Sequence, residues 1–234
     1  MTGSSRTTAR PSDESNQLNF AELTSLRSTP QQGRSKARVQ AMYDAAVQIL
    51  AESGIEALTM NAIAERASVP IGTVYQFFED KSAVLDTIAE RRNRSFAFVL
   101  ADMEAMLETH DWRDIFEFVF DRMVQRNRND PAYVAIWTGH HLSSRMERED
   151  DDNIEATAAF LQSVMARQEG LLTSDELAIA CRVATMSASA LLQLAFRLDP
   201  QGDPDTLRQA RRMVLLYLNN IASDPLYRQP RKIT

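Results

Sequence analysis

Apolar residues return at helical spacing over nearly the whole chain after residue 35. Val39, Tyr43, Ala46, Val47 and Leu50 stand at i, i+4, i+7, i+8 and i+11, one face of a helix. Gly54 follows as a C-terminal cap. Thr59 caps a second helix with Ile63, Ala64 and Ala67 on one side, and Pro70 keeps it short. A third helix runs from around Pro70 to Glu79, and Asp80 caps a fourth, long one from Lys81 towards His110. Later boundaries are marked by local chemistry. Asp111 precedes Trp112, Asp130-Pro131 and Asp203-Pro204 each set an N-cap before a proline, and Thr173-Ser-Asp-Glu176 is a capping box. These predict helices near 112–128, 131–148, 152–169, 174–198 and 204–223. No strand pattern or internal repeat is present, so the expected class is all-α, three short helices followed by longer ones. Residues 1–33, rich in Ser, Thr, Gln, Asn and Pro, read as a disordered arm. Residues 224–234, with two prolines, read as an irregular tail.

The third helix is unusual. It lies in Arg66-Ala-Ser-Val-Pro-Ile-Gly-Thr-Val-Tyr-Gln-Phe-Phe-Glu-Asp-Lys81, which sets a Gly and three aromatics in one short stretch. On a wheel of about 100° per residue, Val74, Phe77 and Phe78 share one side, and Ile71, Gly72, Tyr75 and Gln76 the other. The first set can anchor on the two preceding helices. The second is a poor core face but a good reading face. Two short helices joined by a tight turn form a helix-turn-helix, whose second helix meets base edges in DNA. Gln76 can donate and accept at a base edge, Ile71 can pack on a thymine methyl, and Tyr75 can donate to a phosphate. Gly72 permits close approach to the DNA backbone. Thr59 and Lys81, each beside a helix start, can hold further phosphates. A lone exposed Lys is also an ordinary solvated charge, and aromatics at helical spacing are commonly core.

These residues resemble the signature of the tetracycline-repressor (TetR) family. Thr59, Ile63, Ala64, Ala67, Val69, Gly72, Thr73, Tyr75, Phe78, Lys81 and Val84-Leu85 stand at its spacing, and residues 35–58 are similar to its first helix and turn. The resemblance covers residues 35–85; beyond residue 90 only the helix count agrees. It implies a DNA-binding head at 34–80; together with the wheel and the local charge, the candidate contacts are Arg34, Lys36, Arg38, Thr59, Ile71, Gly72, Thr73, Tyr75, Gln76 and Lys81. It also implies a domain at 81–223 that binds a small-molecule effector and forms a homodimer. Two positions depart from the pattern. Ser68 stands where the family usually has Gly in the turn, and Phe77 where a Tyr or His often contacts phosphate.

Charge distribution agrees with a DNA partner better than the net charge of −6 suggests. Residues 1–94 carry 11 basic and 11 acidic residues, and residues 95–234 carry 15 and 21. Arg34, Lys36 and Arg38 form a local basic run that can neutralise phosphates or start a helix as solvated charges. The single cysteine, Cys181, excludes an internal disulfide and fits a reducing cytoplasm, as a buried hydrophobe or a reactive thiol. No apolar run approaches 18 residues, so no membrane-spanning helix and no membrane partner are expected, and the polar N-terminus does not resemble a secretion signal.

In the later part, Phe96, Phe116, Phe120, Trp137, His140 and His141 are candidate walls of an effector pocket, though each also fits an ordinary core or surface position. Two neighbouring histidines diverge by about 100° on a helix, so no metal or other cofactor is expected. Asp150, Asp151 and Asp152 read as a solvated charge run that starts a helix. Small residues in the eighth predicted helix and a broad apolar face in the ninth suggest a dimer face through Ala184, Ala188, Leu191, Met213 and Tyr217, or an internal bundle core. The chain lacks a Gly-rich phosphate loop, a nucleophile elbow and His-rich metal spacing, so an enzyme is not expected. The expected function is a sequence-specific transcriptional regulator, a repressor released from its operator by a small molecule. An activator of the same fold and a helical protein-binding adaptor are the alternatives.

Overall fold

The computed structural model describes residues 23–94, 104–139 and 143–228. The described residues are all-α, apart from one isolated bridge between Leu171 and Arg228. The order is α1 Gly33–Ser53, a 3-10 turn Ile55–Ala57, α2 Met60–Arg66, α3 Ile71–Phe77 and α4 Lys81–Arg94. There follow α5 Trp112–Arg128, α6 Pro131–Thr138, α7 Ser144–Glu169, α8 Asp175–Leu198 and α9 Pro204–Ser223.

Most helix ends sit where the capping chemistry placed them. Side chains of Thr59, Asp111, Asp130 and Asp203 each accept a backbone N–H in the first turn of their helices. Gly54 closes α1 with φ 74°, a conformation that suits glycine. Two boundaries differ from expectation. The helix expected at 131–148 stops at Thr138, and the next starts at Ser144, capped by Ser143. Asp150, Asp151 and Asp152 therefore lie inside α7 and do not start it. At α8 the cap is Ser174, which accepts from Leu177 N, one residue later than the Thr173 box.

The amino-terminal core gathers Val39, Met42, Tyr43 and Ala46 of α1, Ile63 of α2, Val74 and Phe77 of α3, Phe78, and Val84, Leu85 and Ile88 of α4. Ala132 and Ile136 of α6 belong to the same core. The head is thus packed onto two helices of the larger domain. Leu23 is buried in this core as well, which corrects the expectation of a disordered arm through residue 33. From Leu23 onward the arm lies against the head. Arg27 N donates to Phe77 O at 2.8 Å, and Thr24 and Ser25 donate to Glu90 of α4. An apolar anchor and satisfied backbone groups offset its ordering entropy.

The larger domain packs α5, α7, α8 and α9 around a second core that includes Trp112, Val164, Leu177, Ala180, Leu218 and Ile221. Cys181 lies fully within it, and burial pushes its thiol up to about 12, which keeps it protonated and unreactive. The tail is not wholly irregular. Leu172 N donates to Tyr227 O at 2.7 Å, and Pro225–Tyr227 form a 3-10 turn. Against the expectation of no helix able to span a membrane, α8 is long and apolar enough on average to cross one. In this fold its buried side packs on α7 and α9.

Candidate functional site

The turn between α2 and α3 explains how α3 is presented. Val69 N donates to Ala64 O at 3.0 Å and Ser68 N to Glu65 O at 3.1 Å. This hydrogen-bond pair ends a helix through a residue in the left-handed region. Ser68 is that residue, with φ 54°, the one non-glycine positive φ among the described residues. The turn sends α3 out of the head with its anchor side down. Val74, Phe77 and Phe78 are all buried. Phe77 therefore packs inward, and its carbonyl holds the arm.

The opposite side of α3 is open. Ile71 is 39% and Tyr75 46% exposed, large values for residues of that size in a small helix. Gly72 and Gln76 are exposed beside them, and Thr73 is half-buried. A Cβ added at Gly72 would meet nothing within 4 Å, so packing within this chain does not require a glycine there. Around this face lie the cap residue Thr59 and the start of α1, both exposed. Arg34, Lys36 and Arg38 make no ion pair among the described residues, and the first turn of α1 holds no acid. Positive charge and the positive end of a helix dipole thus coincide.

Lys81 departs from expectation. Its Nζ donates to Ile55 O at 2.6 Å, tying the start of α4 to the 3-10 turn. It is half-buried, and this hydrogen bond serves the head's own structure.

A cavity of about 180 Å³ lies inside the larger domain. Phe116, Phe120 and Trp137 line it. Phe96, His140 and His141 lie outside the described residues. The cavity has a polar end and an apolar end. Arg92 and Asn93 of α4, Arg126 and Asn127 of α5, and Asp150 and Asn153 of α7 make the first. Trp112, Ile115, Val164, Val214 and Leu218 make the second. Sequence reasoning missed the polar end because its members lie far apart in the chain.

At the polar end the Arg92 guanidinium donates to Asn127 Oδ1, stands 3.5 Å from Asp130 and lies 4.1 Å from the Tyr133 ring centroid. Arg126 donates to the Arg92 carbonyl. Burial, reinforced by Arg92, lowers the Arg126 guanidinium to about 10, still charged at neutral pH. Burial and then Asp151 push the Asp150 carboxyl up, against the pull of Arg92 and Arg126. This corrects the view of Asp150 as merely a solvated charge.

The candidate dimer residues separate into two groups. Ala184 is buried in the protomer, and both it and Ala188 line the cavity, so neither belongs to an outer face. Leu191 and Met213 share a shallow groove, and Met213 and Tyr217 are exposed. The outward stripe of α8 is instead Ile179, Val183 and Met186, each 45% exposed or more. Its spacing of four and three was legible, but two apolar stripes share this helix and the small-residue one drew the assignment.

A helix-turn-helix with an open second helix, set on an all-helical domain with an internal cavity, defines a DNA-binding transcriptional regulator. Residues 42–88 match the family model of bacterial regulatory proteins of the tetR family, and residues 110–222 match the tetracyclin repressor-like C-terminal domain. A TetR-family transcriptional regulator from Streptomyces coelicolor is 31% identical over 79% of this chain and 99% of its own, with a TM-score of 0.55. This chain belongs to the TetR family. Two more distant structures share the fold. FadR from Bacillus subtilis, solved with stearoyl-CoA, is 17% identical over 78% of this chain and 99% of its own, TM-score 0.58. The multidrug binding protein EbrR, solved with imidazole, is 16% identical over 87% and 100%, TM-score 0.57. No curated protein matches the chain.

Proposed function

We propose that this regulator is a homodimeric repressor that leaves its operator when a small molecule enters the cavity. The observation that carries this reading is the shared use of α4 and α6. Arg92 and Asn93 of α4 and Tyr133 and Trp137 of α6 line the cavity, while Val84, Leu85 and Ile88 of α4 and Ala132 and Ile136 of α6 lie in the head's core. A ligand that favours one placement of these helices shifts the head with them, and operator affinity changes by the ligand's differential affinity for the two states. The FadR and EbrR structures that share the fold were solved with stearoyl-CoA and imidazole, which supports a ligand-binding role for this domain.

In this reading Gln76 and Ile71 meet base edges, and Tyr75, Thr73, Thr59, Arg34, Lys36 and Arg38 meet phosphates. The test is binding of the purified full chain to DNA from upstream of its own gene. Affinity should fall steeply with salt. Gln76→Ala should change the preferred sequence, costing about 1–3 kcal/mol at one base position, whereas Tyr75→Phe should weaken all sequences alike. Absence of binding to any genomic fragment at low salt overturns the proposal.

A further inference from the structure

Resting on the reading of the cavity as an effector site, we propose that the effector is an uncharged, ring-bearing compound whose neutral hydrogen-bonding group meets the Tyr133 hydroxyl. The walls select the body. Both tryptophans of the chain, Trp112 and Trp137, line the cavity together with Phe116, Phe120, Tyr133 and Phe160. Flat rings gain from offset and edge-to-face contact with such walls, beyond the area they bury. An apolar cavity of about 150 Å³ holds a benzene ring. This one, at about 180 Å³, suits a compound of one or two rings.

Charge disfavours both kinds of ion. At the polar end Arg92 stands 3.5 Å from Asp130 and donates to Asn127, and Arg126 donates to the Arg92 carbonyl. Both guanidiniums have further partners. Burial pushes the Asp150 carboxyl up and both guanidiniums pull it down, so it faces them as a counter-charge. An anion would give up its hydration here and meet guanidiniums already committed to the protein. A cation fares no better on the rings. Arg113 and Arg211, neither of them part of the lining, lie 4.2 Å and 4.7 Å from the ring centroids of Trp112 and Phe120, and Arg92 lies 4.1 Å from that of Tyr133. These rings already serve the protein's own cations. A neutral polar group does find a partner. Tyr133 is 4% exposed and lines the cavity, and its hydroxyl makes no hydrogen bond among the described residues. No fully buried side-chain polar atom among those residues lacks a partner, so this hydroxyl keeps accessible surface. Burial pushes the phenol up, which keeps it a neutral donor and acceptor.

The experiment is calorimetric titration of the full chain with four compounds of one shape: 2-naphthylmethanol, 2-naphthoate, 2-naphthylmethylammonium and 2-methylnaphthalene. Operator release is followed separately. The alcohol should bind at least about tenfold tighter than the carboxylate or the ammonium. Tyr133→Phe should weaken the alcohol about fivefold, the loss of one hydrogen bond, and change 2-methylnaphthalene less than about twofold. The inference is overturned if either ion binds as tightly as the alcohol, if Tyr133→Phe affects alcohol and hydrocarbon alike, or if none of the four binds. Tight alcohol binding without operator release would instead defeat the repressor reading and leave the ligand class standing. Release by the carboxylate or the ammonium, with weaker binding of the alcohol, would do the reverse.

Discussion

Ser68 holds the turn of the head in a left-handed conformation that costs a non-glycine residue roughly 1–2 kcal/mol. Glycine removes that strain but adds about 0.5–1 kcal/mol of unfolded-state entropy. Ser68→Gly should therefore raise stability by about 0.5–1 kcal/mol, a melting shift of about 2 °C for a chain of this size. A lower melting temperature would show that the side chain does more than tolerate the turn. Gly72 is the converse case. Nothing in the fold needs a glycine there, and alanine is favoured in a helix by up to about 1 kcal/mol. Gly72→Ala should leave the melting temperature unchanged or raised, while operator affinity falls about tenfold. Unchanged affinity would remove Gly72 from the DNA interface. The residue types on α3 were legible because its two faces differ in character. Lys81 was not, because its carbonyl partner at Ile55 lies in another element.

Among the elements, α4 has the most varied duties. It lends Arg92 to the cavity and Ile88 to the head, and it fixes the arm through Glu90, which is 3% exposed. Burial alone would push the Glu90 carboxyl up. Hydrogen bonds from Thr24, Arg145 and Ser25 outweigh it and hold the group below its ordinary value of 4.5. Arg145, on α7, also donates to Thr24, so arm, α4 and α7 meet at one carboxylate. A lowered carboxyl contributes stability that is present above its unfolded value and lost as pH falls through its folded value. Glu90→Gln should cost about 3 kcal/mol at neutral pH, and the difference from the native chain should shrink as pH drops below 4.5. Thermal unfolding at several pH values measures this. A difference independent of pH would mean that Glu90 acts through packing alone. Helix ends were largely legible because caps are local. The break after Thr138 was missed because the apolar pattern of 131–148 reads on through Gly139, and Ser143 gives no stronger local signal than its neighbours.

At the scale of the molecule, one protomer leaves a wide apolar surface open. Ile179, Val183 and Met186 of α8 stand with Met213, Leu216 and Tyr217 of α9, and Leu216 is 60% exposed. A two-fold pairing of these helices would bury it and present two heads to two half-sites. If the proposed dimer forms through this surface, the native chain should sediment as a dimer and Met186→Asp as a monomer at the same concentration, with an unchanged helical spectrum and weaker operator binding. A dimer that survives this change would place the interface elsewhere. The sequence by itself determined the all-helical class, most helix ends, the anchored and open sides of α3 and the family, because each depends on residues close together in the chain. Only the tertiary structure decided which apolar stripe of α8 turns inward, that the arm from Leu23 joins the head's core, and that Arg92, Arg126 and Asp150 share one end of a cavity. Helical periodicity tells which residues lie on one face, whereas what that face meets is set by packing between segments far apart in sequence.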